Sequence, residues 1–315
     1  MKLEGIHHIT AITGDAPGNV EFYAGVLGLR LVKKSVNQDD PTVYHLFYGD
    51  EEGSPGADLT FFEYPGAAPG RAGAGMVHRI VWRVASGEAL EFWQERLRAH
   101  GTPARRADDS LVFADPEGLE HELLISASAD PPLRANSPPI PSDNALLGFD
   151  GARAYSGDPN RSAGLLRDAL GFSGGHADGR WEVRGDQRGS FYAYDAPPAG
   201  AEAFQGAGTV HHVAFASQPQ EQDAWRSRVA AAGARPTEVI DRFYFRSVYF
   251  REPSGVLFEI ATIGPGFAVD EDEAHLGEHL SLPPRFEPLR ERLEGTLTPL
   301  PNPRLALDSP SPRGS

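Results

Sequence analysis

The chain has 315 residues, which is enough for about two domains at roughly 100–200 residues per domain. Its 29 basic and 44 acidic residues give a net charge of −15, and this charge repels phosphate backbones and argues against a nucleic acid partner. The absence of cysteine excludes disulfides, thiolate metal sites and a thiol nucleophile, so any metal must be held by histidine or carboxylate side chains.

The first predicted strand covers residues 6–12, where apolar side chains flank a pair of histidines. A helix follows, which begins near Asp15 as a capping residue and ends near Gly28. Alternating runs at residues 42–48 and 58–64 predict further strands. The opening quarter of the chain therefore has the pattern of a βαβββ module.

Several short motifs recur later in the chain in the same order, which indicates internal repeats. The segment VHRIVW beginning at Val77 recurs as VHHVAF beginning at Val210, and the turn DPEG at Asp115 recurs as EPSG at Glu252. The Gly-Asp pair after the first strand recurs at Gly157. We therefore predict an α+β fold of four βαβββ modules in two tandem halves.

A proline-rich stretch separates the two halves, since five prolines within residues 131–141 are incompatible with a helix or a central strand. We divide the chain into an N-terminal half at 1–130, a linker at 131–145, a C-terminal half at 146–264 and a tail at 265–315. The end of the tail is rich in proline and serine, and we expect it to be mobile. No apolar run approaches 18 residues and the N-terminus lacks the pattern of a signal peptide, so we expect a cytoplasmic protein without a membrane partner.

Two histidine pairs occupy matching places in predicted opening strands, His7 and His8 in the first module and His211 and His212 in the fourth. Adjacent side chains of a strand face opposite sides, so one histidine of each pair faces a given side. Glu259 lies among apolar residues of a late strand, where a carboxylate is costly to bury unless it is paired or bound to a metal. Two imidazoles and one carboxylate form the facial triad typical of non-haem Fe(II), although the same ligands also serve Zn(II), Mn(II) or Ni(II).

The corresponding positions of the other two modules predict a second site that has lost its metal. Arg79 stands where the fourth module has its second histidine, and Gly151 stands where the first module has its second histidine. Only the carboxylate is kept, as Glu122. We therefore predict one metal ion per chain and structural roles for His78, His121 and Glu122.

With these residues the chain resembles the vicinal oxygen chelate superfamily, which contains glyoxalase I, fosfomycin and bleomycin resistance proteins and extradiol ring-cleaving dioxygenases. Members of this superfamily use paired βαβββ modules that form a cup-shaped sheet around a site. The four-module length favours the dioxygenase branch, and the chain looks most like its hydroquinone-cleaving, MhqO/PcpA-like subgroup. The matching features cover nearly the whole chain and lie at residues 6–10, 210–215, 255–259 and 265–284.

The resemblance implies that His8, His212 and Glu259 hold Fe(II), with Mn(II) or Zn(II) as substitutes in a purified sample. In this subgroup the ligands come from the first and fourth modules. The third module opens without a histidine, which agrees with that arrangement.

The resemblance also implies five side chains that act around the metal. Three of them match positions that support the ligands: His7, His211 and Thr10. Arg242 would stabilise a developing oxyanion, and Tyr249 or a supporting histidine would transfer protons. Two alternatives stay open, with Tyr249 as an ordinary packed aromatic and Arg242 as a surface ion-pair partner. Arg246 replaces Arg242 if the register is shifted.

The leading hypothesis is an Fe(II)-dependent, extradiol-type ring-cleaving dioxygenase that takes O2 and a hydroquinone or related dihydroxylated aromatic as substrates. One alternative is a glyoxalase-like lyase or isomerase with Zn(II) or Ni(II), although such sites usually carry more carboxylate. Another alternative is a small-molecule-binding resistance protein without turnover, which a metal-free purified protein would favour. The resemblance further implies a homo-oligomer, since related proteins are often dimers or larger.

Overall fold

The computed structural model describes residues 1–175, 179–200 and 202–303, and these residues form four βαβββ modules in chain order. Module 1 consists of β1 (Ile6–Thr13), α1 (Ala16–Val20) with a π-helix (Glu21–Val26), β2 (Arg30–Val36), β3 (Tyr44–Gly49) and β4 (Asp58–Glu63). Module 2 consists of β5 (Met76–Val84), α2 (Gly87–Ala99), β6 (Ala104–Arg106), β7 (Ser110–Ala114) and β8 (Glu120–Ile125).

The second half of the chain repeats this order after a 3-10 turn at Ser142–Asn144. Module 3 consists of β9 (Phe149–Tyr155), a 3-10 helix (Pro159–Ser162) with a π-helix (Leu165–Ala169), β10 (Ser173–Gly174), β11 (Arg180–Arg184) and β12 (Gly189–Asp195). Module 4 consists of β13 (Thr209–Ser217), a 3-10 turn (Pro219–Glu221), α3 (Gln222–Ala231), β14 (Ile240–Asp241), β15 (Arg246–Arg251) and β16 (Leu257–Thr262). The tail carries 3-10 turns at Phe267–Val269, Glu273–His275 and Pro284–Leu289 and the short helix α4 (Arg290–Glu294).

The predicted α+β fold of four modules is confirmed, and so is the helix predicted to begin near Asp15. The Asp15 side chain accepts a hydrogen bond from the backbone N–H of Gly18, which is the contact expected of an N-terminal cap. The helix changes from α to π geometry at Glu21 and stops before Gly28, whose φ of 69° is the left-handed conformation that favours glycine.

The strands form two eight-stranded sheets, and each sheet combines two modules. The first sheet has the order β14-β15-β16-β13-β1-β4-β3-β2 and joins module 4 to module 1. The second sheet has the order β10-β11-β12-β9-β5-β8-β7-β6 and joins module 3 to module 2. Each sheet therefore spans both halves of the chain. The domain boundaries drawn from the sequence stay a prediction, and residues 304–315 of the predicted tail lie outside the described residues.

The described part of the tail packs against the inner face of the first sheet. Phe267 and Leu276 are buried in one apolar cluster with residues of both modules of that sheet. Lys33 of β2 is fully buried, and its ammonium group donates to Asp270 at 2.7 Å and also to Glu271. The tail is thus fastened to β2 by a buried cation between two carboxylates. In the described parts of the chain, no helix has the length and apolarity that crossing a membrane requires.

Candidate metal centre

Three side chains converge on the inner face of the first sheet, where β16, β13 and β1 are neighbours. His8 of β1, His212 of β13 and Glu259 of β16 are all buried. The Nε2 atoms of the two histidines lie 3.2 Å apart. Oε2 of Glu259 lies 3.2 Å from Nε2 of His8 and 2.9 Å from Nε2 of His212. The structure therefore brings the three predicted metal ligands together.

Two β-bulges position the histidine pairs in the antiparallel pairing of β1 with β13. Ile6 pairs with Phe215 and His8 with Ala214, so His7 is the extra residue on β1. Further along the same pair of strands, the register shift leaves His211 as the extra residue on β13. A bulge breaks strict alternation and redirects a side chain. For this reason both members of each pair stay in contact, which the alternation assumed from the sequence did not predict.

The hydrogen bonds of His7 fix the tautomer of His8. The carbonyl oxygen of Thr262 can only accept, so Nε2 of His7, 3.2 Å away, carries a proton. Burial lowers the pKa of His7 to about 3, so the ring is neutral at neutral pH and its Nδ1 is an acceptor. Nδ1 of His8 lies 3.0 Å from that acceptor and donates to it. In the neutral form of the His8 ring, Nε2 therefore carries the lone pair, which is the form that binds a metal.

His211 stands in the same relation to His212, because their Nδ1 atoms lie 2.8 Å apart. Burial and the neighbouring His212 lower the pKa of His211 to about 3, and burial also lowers the pKa of His212. Both rings are therefore neutral at neutral pH, so the hydrogen between the Nδ1 atoms comes from one of them. Where His212 is the donor, its Nε2 presents a lone pair to the centre in the same way as that of His8.

The carboxylate of Glu259 fits a cation at this place. Glu259 is fully buried, and its Oε2 atom faces the two imidazoles. Both carboxylate oxygens are nevertheless without a hydrogen-bond partner among the described residues. Metal–ligand bonds of about 2.1 Å place neighbouring ligands of an octahedral ion about 3.0 Å apart, which agrees with the three separations seen here. The donor set fits a divalent metal ion, and its role as a ligand set stays a prediction.

A cavity opens beside these three side chains and encloses about 390 Å³ of space, part of it open to solvent. Five of its lining side chains are phenylalanine or tyrosine, and the others are polar or ionisable. The cavity is lined by His8, Asn37, Gln38, Asp39, His45, Phe47, Phe62, His212, Arg242, Tyr244, Phe245 and Tyr249. A mostly apolar wall with a few converging polar groups is typical of a small-molecule site.

Arg242 and Tyr249 both line the cavity as predicted. The guanidinium of Arg242 lies 5.4 Å from the centre of the Tyr249 ring and forms a bidentate ion pair with Asp39. Arg242 therefore both lines the cavity and takes part in an ion pair. Burial raises the pKa of Tyr249, so its hydroxyl is protonated at neutral pH. Arg246 is exposed and donates to the carbonyl of Pro219, away from the cavity lining formed by the described residues.

Four predicted site residues lie outside that lining: His7, Thr10, His211 and Glu259. His211 contacts His212 but borders a separate recess. Thr10 is buried, and its hydroxyl lies 2.7 Å from the hydroxyl of Thr60. Thr60 in turn lies 2.9 Å from Nε2 of His45, which does line the cavity. Thr10 is thus connected to the cavity through two further side chains.

His45 and Asp39 are cavity residues that the sequence analysis missed. The signal for His45 was available, since His45 alternates with Phe47 on one face of β3 and both line the cavity. Burial lowers the pKa of His45 well below its usual value, so the ring is neutral. Asp39 lies in the loop between β2 and β3, and its partner Arg242 is distant in sequence, so no local pattern could indicate it.

The corresponding place in the second sheet is filled by protein groups. Arg79 donates to Glu120 and Glu122 at 2.9 and 3.2 Å, so a guanidinium neutralises the carboxylate that is kept there. A Cβ atom at Gly151 would lie 2.5 Å from the ring of Phe191, which leaves no room for a histidine. Among the described residues, His8, His212 and Glu259 form the one group with metal-binding geometry. One metal ion per chain stays a prediction.

The structural roles predicted for His78 and His121 agree with their contacts. His78 stacks on Tyr155 at a ring distance of 3.8 Å and lies 2.9 Å from a carboxylate oxygen of Asp195. Nδ1 of His121 accepts a hydrogen bond of 3.1 Å from the indole of Trp82.

Comparison with known proteins agrees with this architecture. Residues 5–123 and 148–260 match the model of the Glyoxalase/Bleomycin resistance protein/Dioxygenase superfamily. MhqO of Bacillus subtilis (strain 168), provisionally named a ring-cleaving dioxygenase, is 41% identical over 95% of this chain and 97% of its own length. The chlorohydroquinone/hydroquinone 1,2-dioxygenase of Sphingobium indicum is 32% identical over 94% of this chain and 96% of its own length.

A solved structure extends the likeness to three dimensions. The crystal structure of a provisionally assigned dioxygenase from Bacillus subtilis shares 40% identity, covers 96% of this chain and 98% of its own, and has a TM-score of 0.88. The resemblance stated from the sequence is thereby confirmed. The chain belongs to the Glyoxalase/Bleomycin resistance protein/Dioxygenase superfamily and, within it, to the group of ring-cleaving dioxygenases.

Proposed function

We propose that this protein is an Fe(II)-dependent, extradiol-type dioxygenase that opens the ring of a hydroquinone or a related dihydroxylated aromatic. One observation carries the proposal: a buried carboxylate without a hydrogen-bond partner among the described residues meets two imidazoles, and both imidazoles line a cavity with aromatic side chains. A facial set of two histidines and one carboxylate leaves positions open for substrate and O2 on Fe(II). The hydroquinone dioxygenase relative, 32% identical over nearly the full length, supports the choice of substrate class.

His8, His212 and Glu259 would hold the iron, and the iron would supply the electron transfer that lets O2 react with an aromatic ring. Both atoms of O2 enter the ring-opened product, so the reaction needs no further oxidant or reductant. The hydrogen bonds from His8 to His7 and from His7 to the carbonyl of Thr262 would hold the His8 ring in the orientation and tautomer that bind the metal.

The cavity walls would orient the aromatic ring. Phe47, Phe62 and Phe245 offer apolar faces and edges against which a ring can pack. Tyr249 presents a protonated hydroxyl and would return a proton to the product. Arg242 would stabilise negative charge that develops on a substrate oxygen during ring opening.

Oxygen uptake by the reconstituted protein tests this function. The protein is loaded anaerobically with Fe(II), and O2 consumption is followed with methylhydroquinone, chlorohydroquinone and catechol. We expect consumption with a hydroquinone, loss of it in Glu259→Gln and retention in the matched variant Glu122→Gln of the second sheet. Iron-loaded protein that consumes no O2 with any of these rings contradicts the proposal and favours a glyoxalase-like or binding function.

Two further properties stay proposals that rest on the sequence and its resemblance. We propose a cytoplasmic location, where a substrate reaches the enzyme without export. We also propose a homo-oligomer, which size-exclusion chromatography with light scattering tests directly.

A further inference from the structure

We propose that Asp39 makes the cavity selective for uncharged dihydroxylated rings. The Asp39 carboxylate accepts two hydrogen bonds from the guanidinium of Arg242. Without Asp39, this guanidinium would be available to bind a carboxylate substituent on the ring. The inference rests on the proposed function, because it assumes that a dihydroxylated aromatic enters this cavity. It goes further by assigning a specificity-determining role to a residue outside the metal centre and by naming the charge class of the substrate.

Both members of the ion pair line the cavity. Nη1 of Arg242 donates to Oδ1 of Asp39 and Nη2 donates to Oδ2, both at 2.9 Å. Hydrogen bonding to Arg242 lowers the pKa of Asp39, so the carboxylate is charged at neutral pH. The side chain of Asp39 is 74% exposed whereas that of Arg242 is 14% exposed. The cation therefore faces the cavity and its partner covers it from the solvent side.

The position of Arg242 is fixed from several directions. Its carbonyl oxygen accepts a hydrogen bond of 2.6 Å from the side-chain amide of Gln38. The next residue, Phe243, has a φ of 70°, a left-handed conformation that is rare outside glycine and defines the turn between β14 and β15. The guanidinium also lies over the ring of Tyr249. Arg242 is thus held in place, and both of its outward N–H groups are directed at one carboxylate.

Apart from the metal that we propose, no lining side chain among the described residues other than Arg242 carries a permanent positive charge that would attract a ring carboxylate. Burial lowers the pKa of His45 well below its usual value, so this imidazole is neutral at neutral pH. Arg242 is the one permanent cation among the described residues that line the cavity. A ring carboxylate would find this cation already paired and would be repelled by the charge of Asp39. An uncharged ring needs no cation and is not repelled by Asp39, so the cavity binds it in preference to a carboxylated ring.

Asp39 can be changed without disturbing the loop that carries it. Oδ1 of Asn37 accepts from the backbone N–H of Asp39 at 2.9 Å, which does not depend on the Asp39 carboxylate. The turn after it is held by Asp40, which accepts from the backbone N–H and the hydroxyl of Thr42 at 3.2 and 2.6 Å. Asp40→Asn is a matched control, because it removes the same charge from the adjacent residue and keeps an acceptor oxygen for Thr42.

The test compares two rings that differ in one carboxylate, hydroquinone and 2,5-dihydroxybenzoate. Their dissociation constants are measured anaerobically by calorimetry on the Fe(II)-loaded protein, so the result does not depend on turnover. The net contribution of a hydrogen bond to a charged group corresponds to about 10- to 100-fold in affinity. We expect Asp39→Asn to shift the ratio of the two constants by about 10- to 100-fold towards the carboxylated ring.

The shift of the ratio towards the carboxylated ring requires the guanidinium of Arg242. We therefore expect this shift to disappear in the double variant Asp39→Asn/Arg242→Gln. We expect Asp40→Asn to leave the ratio unchanged. An unchanged ratio in Asp39→Asn, an equal shift in Asp40→Asn or a gain that persists in the double variant overturns the proposal. If wild-type protein binds hydroquinone but consumes no O2, the proposed function fails, whereas the binding ratios still decide the role of Asp39.

Discussion

Replacing His7 with phenylalanine tests whether a residue that does not bind the metal sets up one that does. The ring volume and the contact with Phe245, at a ring distance of 5.2 Å, are kept. The two hydrogen bonds of His7 are lost, one from His7 to the carbonyl of Thr262 and one from His8 to His7. His8 then has no fixed tautomer, and part of its population carries the proton on Nε2, where the metal binds.

The expected loss of metal affinity follows from the hydrogen bond that His8 loses. Removing a hydrogen-bonding partner of a metal-binding histidine typically costs about 10- to 100-fold in metal affinity. We expect this loss for Fe(II), which corresponds to about 1.4–2.8 kcal/mol. The buried carbonyl of Thr262 also loses its donor, so we expect the free energy of unfolding of the metal-free protein to fall by about 1–3 kcal/mol.

The assay is an anaerobic titration with Fe(II) against a competing chelator, with circular dichroism to confirm that the variant is folded. The control is His275→Gln, which removes a histidine whose side chain is 66% exposed and far from β1 in the sequence. A folded His7→Phe variant with the affinity of the control would refute the tautomer argument.

Two further predictions concern stability. Lys33→Met leaves Asp270 and Glu271, 19% and 12% exposed, without their buried cation. We expect a loss of about 3–5 kcal/mol in urea denaturation. We expect a much smaller loss in Lys34→Met, and equal losses would contradict the anchoring role of Lys33. Burial lowers the pKa of His121 from 6.5 to about 3, so between these values the unfolded chain binds the additional proton. The free energy of unfolding should therefore fall as the pH drops from about 6.5 towards 3, by up to about 1.4 kcal/mol per pH unit from this residue. Other buried histidines add slope of the same sign, so we expect His121→Gln to reduce the dependence by its own share, up to about 1.4 kcal/mol per pH unit. An unchanged slope would show that His121 does not contribute.

The modules and the metal ligands were within reach of the sequence because both leave local signals. The repeated motifs around Val77 and Val210 mark equivalent strands, and alternation marks β1 and β16. The two histidine pairs stand at matching places of these repeats, so the candidate pairs could be located from the sequence. The choice of His8 and His212 as candidate ligands came from the family resemblance. The βαβββ order follows from the same periodicity.

Other features depend on contacts between segments that are distant in the chain. The bulges at His7 and His211 arise from the pairing of β1 with β13, which no single strand encodes. The pair of Asp39 with Arg242 joins loops of two modules. The sequence around Lys33 does not distinguish it from a surface lysine, because its carboxylate partners lie far away in the tail. Each of these needs tertiary structure, and each sets the geometry or the charge of the site.

The iron content of the wild type and of His8→Ala, after anaerobic loading and removal of excess metal, tests the central claim most directly. The account predicts about one iron per chain in the wild type, because the second sheet replaces its metal with Arg79. It predicts loss of bound iron in His8→Ala, because module 1 supplies one of three ligands across the sheet from module 4. Stoichiometric iron in a folded His8→Ala variant would contradict the assignment of the metal centre.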